Sequence, residues 1–175
     1  MSALPNELSR PVPLSALGLD PVEQTVIASD TECAALAERF DLPAINNLTG
    51  RVTLVRQPGR IIRVEGNLKA SVVRICVVTL EPFDQVVEDT FVFYLTDAPG
   101  IGGGDELDVA LDDEDTPEPV EGDTVDCGEI VAQHLTLALE PFPRSPEALA
   151  AGPVSRADPE PEAANPFTAL RGKIR

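Results

Sequence analysis

The sequence has no tryptophan, one tyrosine, one histidine and three cysteines in 175 residues. Each scarcity excludes something. The basic stretch from Arg51 to Arg74 has no Phe, Tyr or Trp at all, so the stacking rings on which single-stranded RNA readers hold bases are missing from it. A lone histidine, His134, and no Gly-x-Ser-x-Gly elbow leave no nucleophile with a base specified beside it, so an enzyme is not expected. Cys33, Cys76 and Cys127 are odd in number and widely spaced, which is neither a disulfide framework nor a metal-ligand set and suits a reducing cytoplasm. The strongest apolar run, Ile75 to Leu80, is far short of the roughly 20 residues that span a bilayer. The opening MSALPNELSRPVPL sets prolines and charges where a secretory signal needs a basic start and an apolar stretch, so neither membrane nor export is expected. Basic residues are scarce too: 13 Lys/Arg against 30 Asp/Glu give a net charge of −17, too acidic for the whole surface to bind nucleic acid.

What is present supports a core. Apolar residues make up 43% and the mean hydropathy is zero, which fits folding of much of the chain. Seventeen prolines point to linker and tail as well. The expectation is a short N-terminal tail over 1–7, one domain over 8–143 that contains an acidic loop over 97–124, and a flexible tail over 144–175. Charge divides the chain: residues 1–83 carry 8 basic and 9 acidic side chains, residues 84–175 carry 5 and 21. Within the first half, Arg51, Arg56, Arg60, Arg63, Lys69 and Arg74 meet only Glu65.

Local patterns give an order of elements. Residues 23–29 are rich in β-branched side chains and read as a short strand. Ser29 and Glu32 form a capping box that starts a helix bearing Cys33, Leu36 and Phe40 on its apolar side and ending at Pro43. Arg51 to Gln57, the turn Pro58-Gly59, and the run from Ile61 make a hairpin. Gly66 is expected to bulge or bend its second arm, and SVVRICVVTL to continue as strand to Glu81-Pro82. Val86 to Leu95 is the next strand. Asp126 with Glu129 reads as a second capping box, opening a helix with Ile130, Val131, Leu135, Ala138 and Leu139 near one face. The fold class is therefore α+β, a mainly antiparallel sheet of about four to five strands packed with two helices.

Few residues carry candidate chemistry. Gly100-Ile-Gly-Gly-Gly104 is followed by Asp105-Glu106, which repel phosphate, so it reads as a linker. Asp112, Asp113, Glu114 and Asp115 lack the spacing of a calcium loop; they read as a solvated acidic loop, available to a basic partner or to the chain's own basic hairpin. His134 reads as a half-buried helical side chain and Cys76 as a small buried hydrophobe. Cys127, at a helix start, has the setting of a stabilised thiolate, but no resolving cysteine stands nearby, so a redox role is not expected. The basic hairpin is the most informative feature, because cations along a β-ribbon can meet successive phosphates. The alternatives are the outward polar residues of a sheet and a surface for a protein partner.

Three motifs in order resemble one family. Ala34 to Pro43 (AALAERFDLP), Cys76 to Phe83 (CVVTLEPF) and Asp126 to Arg144 (DCGEIVAQHLTLALEPFPR) are similar to the YceD family of large ribosomal RNA subunit accumulation proteins, of the alphaproteobacterial type, with Asn165-Pro-Phe167 matching a short terminal motif. The resemblance implies a non-enzymatic cytoplasmic factor for 23S rRNA accumulation or processing in large-subunit assembly. The basic ribbon and the acidic loop add the expectation that it contacts rRNA, its precursor or a basic large-subunit ribosomal protein, with no cofactor and no small-molecule substrate. The alternative is an acidic protein-binding adaptor that does not touch RNA. Many members carry Cys-x-x-Cys before Leu-Glu-Pro, whereas Thr79 stands at the second position here, so no metal ligand is carried over.

Overall fold

A computed structural model describes residues 7–98 and 117–152. The acidic cluster Asp112–Asp115, the glycine run and residues 153–175 lie outside the described residues. Five strands form the main sheet in the order β2-β3-β4-β5-β6: β2 Val22–Ile27, β3 Ala44–Gln57, β4 Ile61–Ile75, β5 Pro82–Thr96 and β6 Glu118–Pro119. Neighbours are antiparallel except β5 and β6. A second, two-stranded sheet pairs β1 Pro11–Pro13 with β7 Thr124–Asp126. Helices α1 Asp30–Arg39, α2 Cys127–Ala138 and the short α3 Pro146–Ala150 complete the α+β fold.

The β3–β4 hairpin closes at Pro58-Gly59-Arg60, where Gly59 and Arg60 take φ of 80° and 63°. Its strands are longer than the local pattern suggests, because β3 begins at Ala44, well before Arg51. Alternate residues point inward: Leu48, Val52 and Leu54 from β3, Ile62, Val64, Leu68, Ala70 and Val72 from β4, and Val87 and Phe91 from β5. They share one core with Leu8, Val26, Leu36, Val131 and Leu135. Both long helices therefore cover the same face of the sheet.

Two strand expectations need correction. Gly66 does not bulge β4; the ladder runs unbroken from Val52 through Gly66 to Phe91. A Cβ there would lie 2.3 Å from Phe91 Cζ, so the glycine makes room for the ring. The irregularity falls between Ile45 and Asn47 instead. Strand β4 also stops at Ile75, five residues early. Cys76 to Leu80 form a tight turn with the Leu80 N–H donating to the Cys76 carbonyl (2.9 Å), and Leu80 has a φ of 60°.

The helix starts show why these segments fold locally. Ser29 and Glu32 form the reciprocal capping box as expected. Arg10 adds two bonds to the Glu32 carboxylate, 2.8 and 3.2 Å, and together with the Ser29 N–H holds its pKa down to about 2. At α2 the box is only half formed. Asp126 accepts from the Gly128 and Glu129 N–H groups (2.9 and 3.3 Å), but Glu129 turns away to Arg39 (2.6 Å). The Arg10 N–H and Ser9 hydroxyl reach Asp126 instead, each at 2.7 Å. This ties the start of the chain to α2: Leu8 is fully buried, and a Cβ on Gly128 would lie 2.5 Å from the Leu8 carbonyl oxygen. The segment expected as tail from 144 carries α3, capped by Ser145, with Ser145 and Ala148 buried.

Candidate functional site

The outward residues of β2 to β5 form an open face that no described helix covers. Thr49, Arg51, Asn67, Lys69, Val86, Glu88, Thr90 and Val92 are all exposed there. Opposite partners in an antiparallel ladder share a face, so the register places Glu23, Thr53, Glu65 and Val92 in one row and Lys69 beside Glu88 in another. A shallow depression of about 270 Å³ lies around Gly66, between Arg51, Glu65 and Thr90.

The six cations of the expected ribbon do not share this face. Arg51, Arg63 and Lys69 do, each beside a carboxylate: Arg51 to Glu23 at 3.1 Å, Lys69 to Glu88 at 2.7 Å, and Arg63 to Glu65. Arg60 stands at the hairpin tip and binds Asp97 through Nε at 3.0 Å. Arg56 has the opposite parity and is used internally, donating to the carbonyls of Leu17 and Leu14 (3.2 and 3.3 Å) and to Asp97 (3.0 Å). Asp97 is partly buried, which favours its neutral form, but Arg56 and Arg60 outweigh this and hold its pKa below the usual range. Arg74 is buried, with 8% exposed, and its Nη2 donates to the Glu140 carbonyl at 2.7 Å. Burial pushes its pKa down. The ribbon is therefore three surface cations, one tip, one strap and one buried arginine.

Sequence spacing also missed a ring. Tyr94 lies directly across the ladder from Arg63, far away in the chain. Asp84 joins the same face opposite Val73. Four carboxylates, Glu23, Glu65, Asp84 and Glu88, thus accompany three cations, and Ile27, Val86 and Val92 are more than half exposed beside them.

The thiols behave differently from their local settings. Cys127 does start α2, but it is fully buried, and desolvation followed by the neighbouring Asp126 charge pushes its pKa up to about 12. Burial and that charge both oppose a thiolate at this position. Cys76 is not mid-strand; it heads the turn, where its Sγ accepts N–H groups from Ser145, Val78 and Thr79 at 3.4 to 3.5 Å. The Ser145 bond is the largest cause holding its pKa down to about 6. His134 is half-buried as expected, its ring stacked on Phe91 with centroids 3.7 Å apart. Burial lowers its pKa against the pull of Asp89, whose Oδ2 lies 3.7 Å from Nδ1.

Among the described residues no group of three or more His, Cys, Asp or Glu is placed to hold a metal ion, and no helix is long and apolar enough to cross a membrane. A family model described as large ribosomal RNA subunit accumulation protein YceD matches residues 64–172, which takes in most of β4 and all of β5, β6, β7, α2 and α3. No curated protein and no solved structure matches the chain.

Proposed function

The chain belongs to the YceD family of large ribosomal RNA subunit accumulation proteins, and on that premise we propose that it is a non-enzymatic cytoplasmic factor of large-subunit biogenesis. In this reading it supports 23S rRNA accumulation or processing by holding a basic large-subunit ribosomal protein on its open sheet face. The observation that carries the choice of partner is the carboxylate excess there, with every cation already beside an acid. A polyanion would have to displace those acids, and the net charge of −17 would oppose its approach. A basic protein meets free carboxylate lone pairs and the exposed Ile27, Val86 and Val92.

Direct rRNA contact is the second reading. It is favoured by Tyr94 opposite Arg63, which adds a stacking ring to a face that also carries Arg51 and Lys69. A pull-down with tagged full-length protein at low and high salt separates the two, with bound RNA sequenced and bound proteins identified. Capture of a basic large-subunit protein that survives nuclease and is lost in Glu23→Lys/Glu65→Lys/Glu88→Lys supports the first. Recovery of 23S rRNA or its precursor that falls steeply with salt and is lost in Arg51→Glu/Arg63→Glu/Lys69→Glu, with no nuclease-resistant protein, overturns it in favour of the second.

A further inference from the structure

At the end of the sheet where β4 turns into β5, the surface is apolar. Leu80 and Phe142 are each 75% exposed, and Ile75, Val77 and Val78 lie between 40% and 45%. The Val77 N–H donates to the Pro143 carbonyl at 2.9 Å, which joins the turn to the segment after α2. Beside this patch runs a groove of about 430 Å³, with Phe40, Leu42 and Leu139 among its walls. Arg74 also lines it, and only its Nη2 is bonded; Nη1 is buried and has no acceptor. Buried donors are normally satisfied, and this one sits behind the groove wall, closed to solvent. Its rim is acidic, with Asp41 and Glu140 lining it and Glu81 following the turn.

We propose that this groove and patch are the docking site for the chain's own residues 165–175, Asn-Pro-Phe-Thr-Ala-Leu-Arg-Gly-Lys-Ile-Arg. Phe167 and Leu170 fill the apolar walls, and Arg171, Lys173 and Arg175 meet the acidic rim. Charge complementarity singles this segment out: it holds three of the five basic residues found after residue 83 and no acidic one. Reach allows it. The Ser145 N–H donates to Cys76 Sγ at 3.4 Å, so α3 starts at the patch, and Gly152, two residues past its end, is the last described residue. The 13 residues from there to Asn165 extend up to about 43 Å. The family match continues to residue 172, which makes most of the segment part of the shared unit.

The test is hydrogen exchange on the full chain, compared with Phe167→Asp/Leu170→Asp, whose changes fall outside the described fold. Amides of residues 75–80 and 139–143 are expected to exchange at least tenfold faster in the variant, at every protein concentration. A labelled peptide of residues 163–175 is expected to bind the variant and to bind the unaltered chain at least tenfold more weakly. Equal exchange in the two proteins overturns the proposal, as does a peptide that fails to bind the variant. Protection that rises with protein concentration overturns it as well, because the occupant is then a second copy.

Discussion

On β4, Ile62, Val64, Leu68, Ala70 and Val72 are buried under the helices, while Arg63 and Lys69, each one step along the same strand, lie on the side that no described helix covers. The inward set is apolar and continuous with the cores of α1 and α2; the outward set of the sheet mixes charge, threonine and asparagine with the exposed Ile27, Val86 and Val92. Burial of a Leu or Val side chain contributes about 1.5–3 kcal/mol, whereas an exposed ion pair contributes about 0.2–1 kcal/mol. The covered face therefore sets the stability, and the open face can carry recognition without upsetting the fold.

The sharpest break in that contrast is Arg74→Glu against Lys69→Glu, two positions that look alike in the sequence. Arg74→Glu puts a carboxylate into a buried site facing the Glu140 carbonyl, and urea unfolding should show a loss above about 3 kcal/mol. Gly66→Ala should follow at about 1–3 kcal/mol, because the new methyl meets the Phe91 ring. Phe91→Leu in the same chain should return part of that loss, a coupling that a backbone effect of the glycine would not show.

Acid should act on the covered side next. Glu32 has its pKa held near 2, below the ordinary 4.5, so its contribution is complete above pH 4.5 and fades as pH falls from there toward 2. Glu32→Gln should flatten the stability profile in that window and cost on the order of 1 kcal/mol at neutral pH. His134, with its pKa lowered by burial, adds a loss as pH falls below its ordinary 6.5, since the unfolded chain binds the proton more readily. The smallest effects belong to the open face. Arg51→Glu and Lys69→Glu should each change stability by less than about 0.5 kcal/mol, read in the same urea titrations.

Much of this was legible along the chain. Four residues, Ser29 to Glu32, announced α1, and Pro58-Gly59 announced the hairpin. The end of β4 was not legible, because Val77 and Val78 are β-favouring, while the bonds from Val77 to Pro143 and from Ser145 to Cys76 that hold the turn come from the far end of α2. Glu129 showed the pattern of a capping box, yet Arg39, from another helix, takes its carboxylate. Tyr94 was invisible as a partner of Arg63 for the same reason: only the β4–β5 register brings them together.

Determined by the sequence alone were the order of the long strands and the two long helices, the capping box of α1, the alternation within the strands and the division between a balanced first half and an acidic second half, all of which depend on neighbours within a few residues. Only the tertiary structure decided which alternate set of β4 faces the helices. With that choice went the burial of Arg74, the strap made by Arg56 and the enclosure of Cys76. Strand parity has two values, and the contacts that select one of them join residues far apart in the chain, where local spacing carries no record of them.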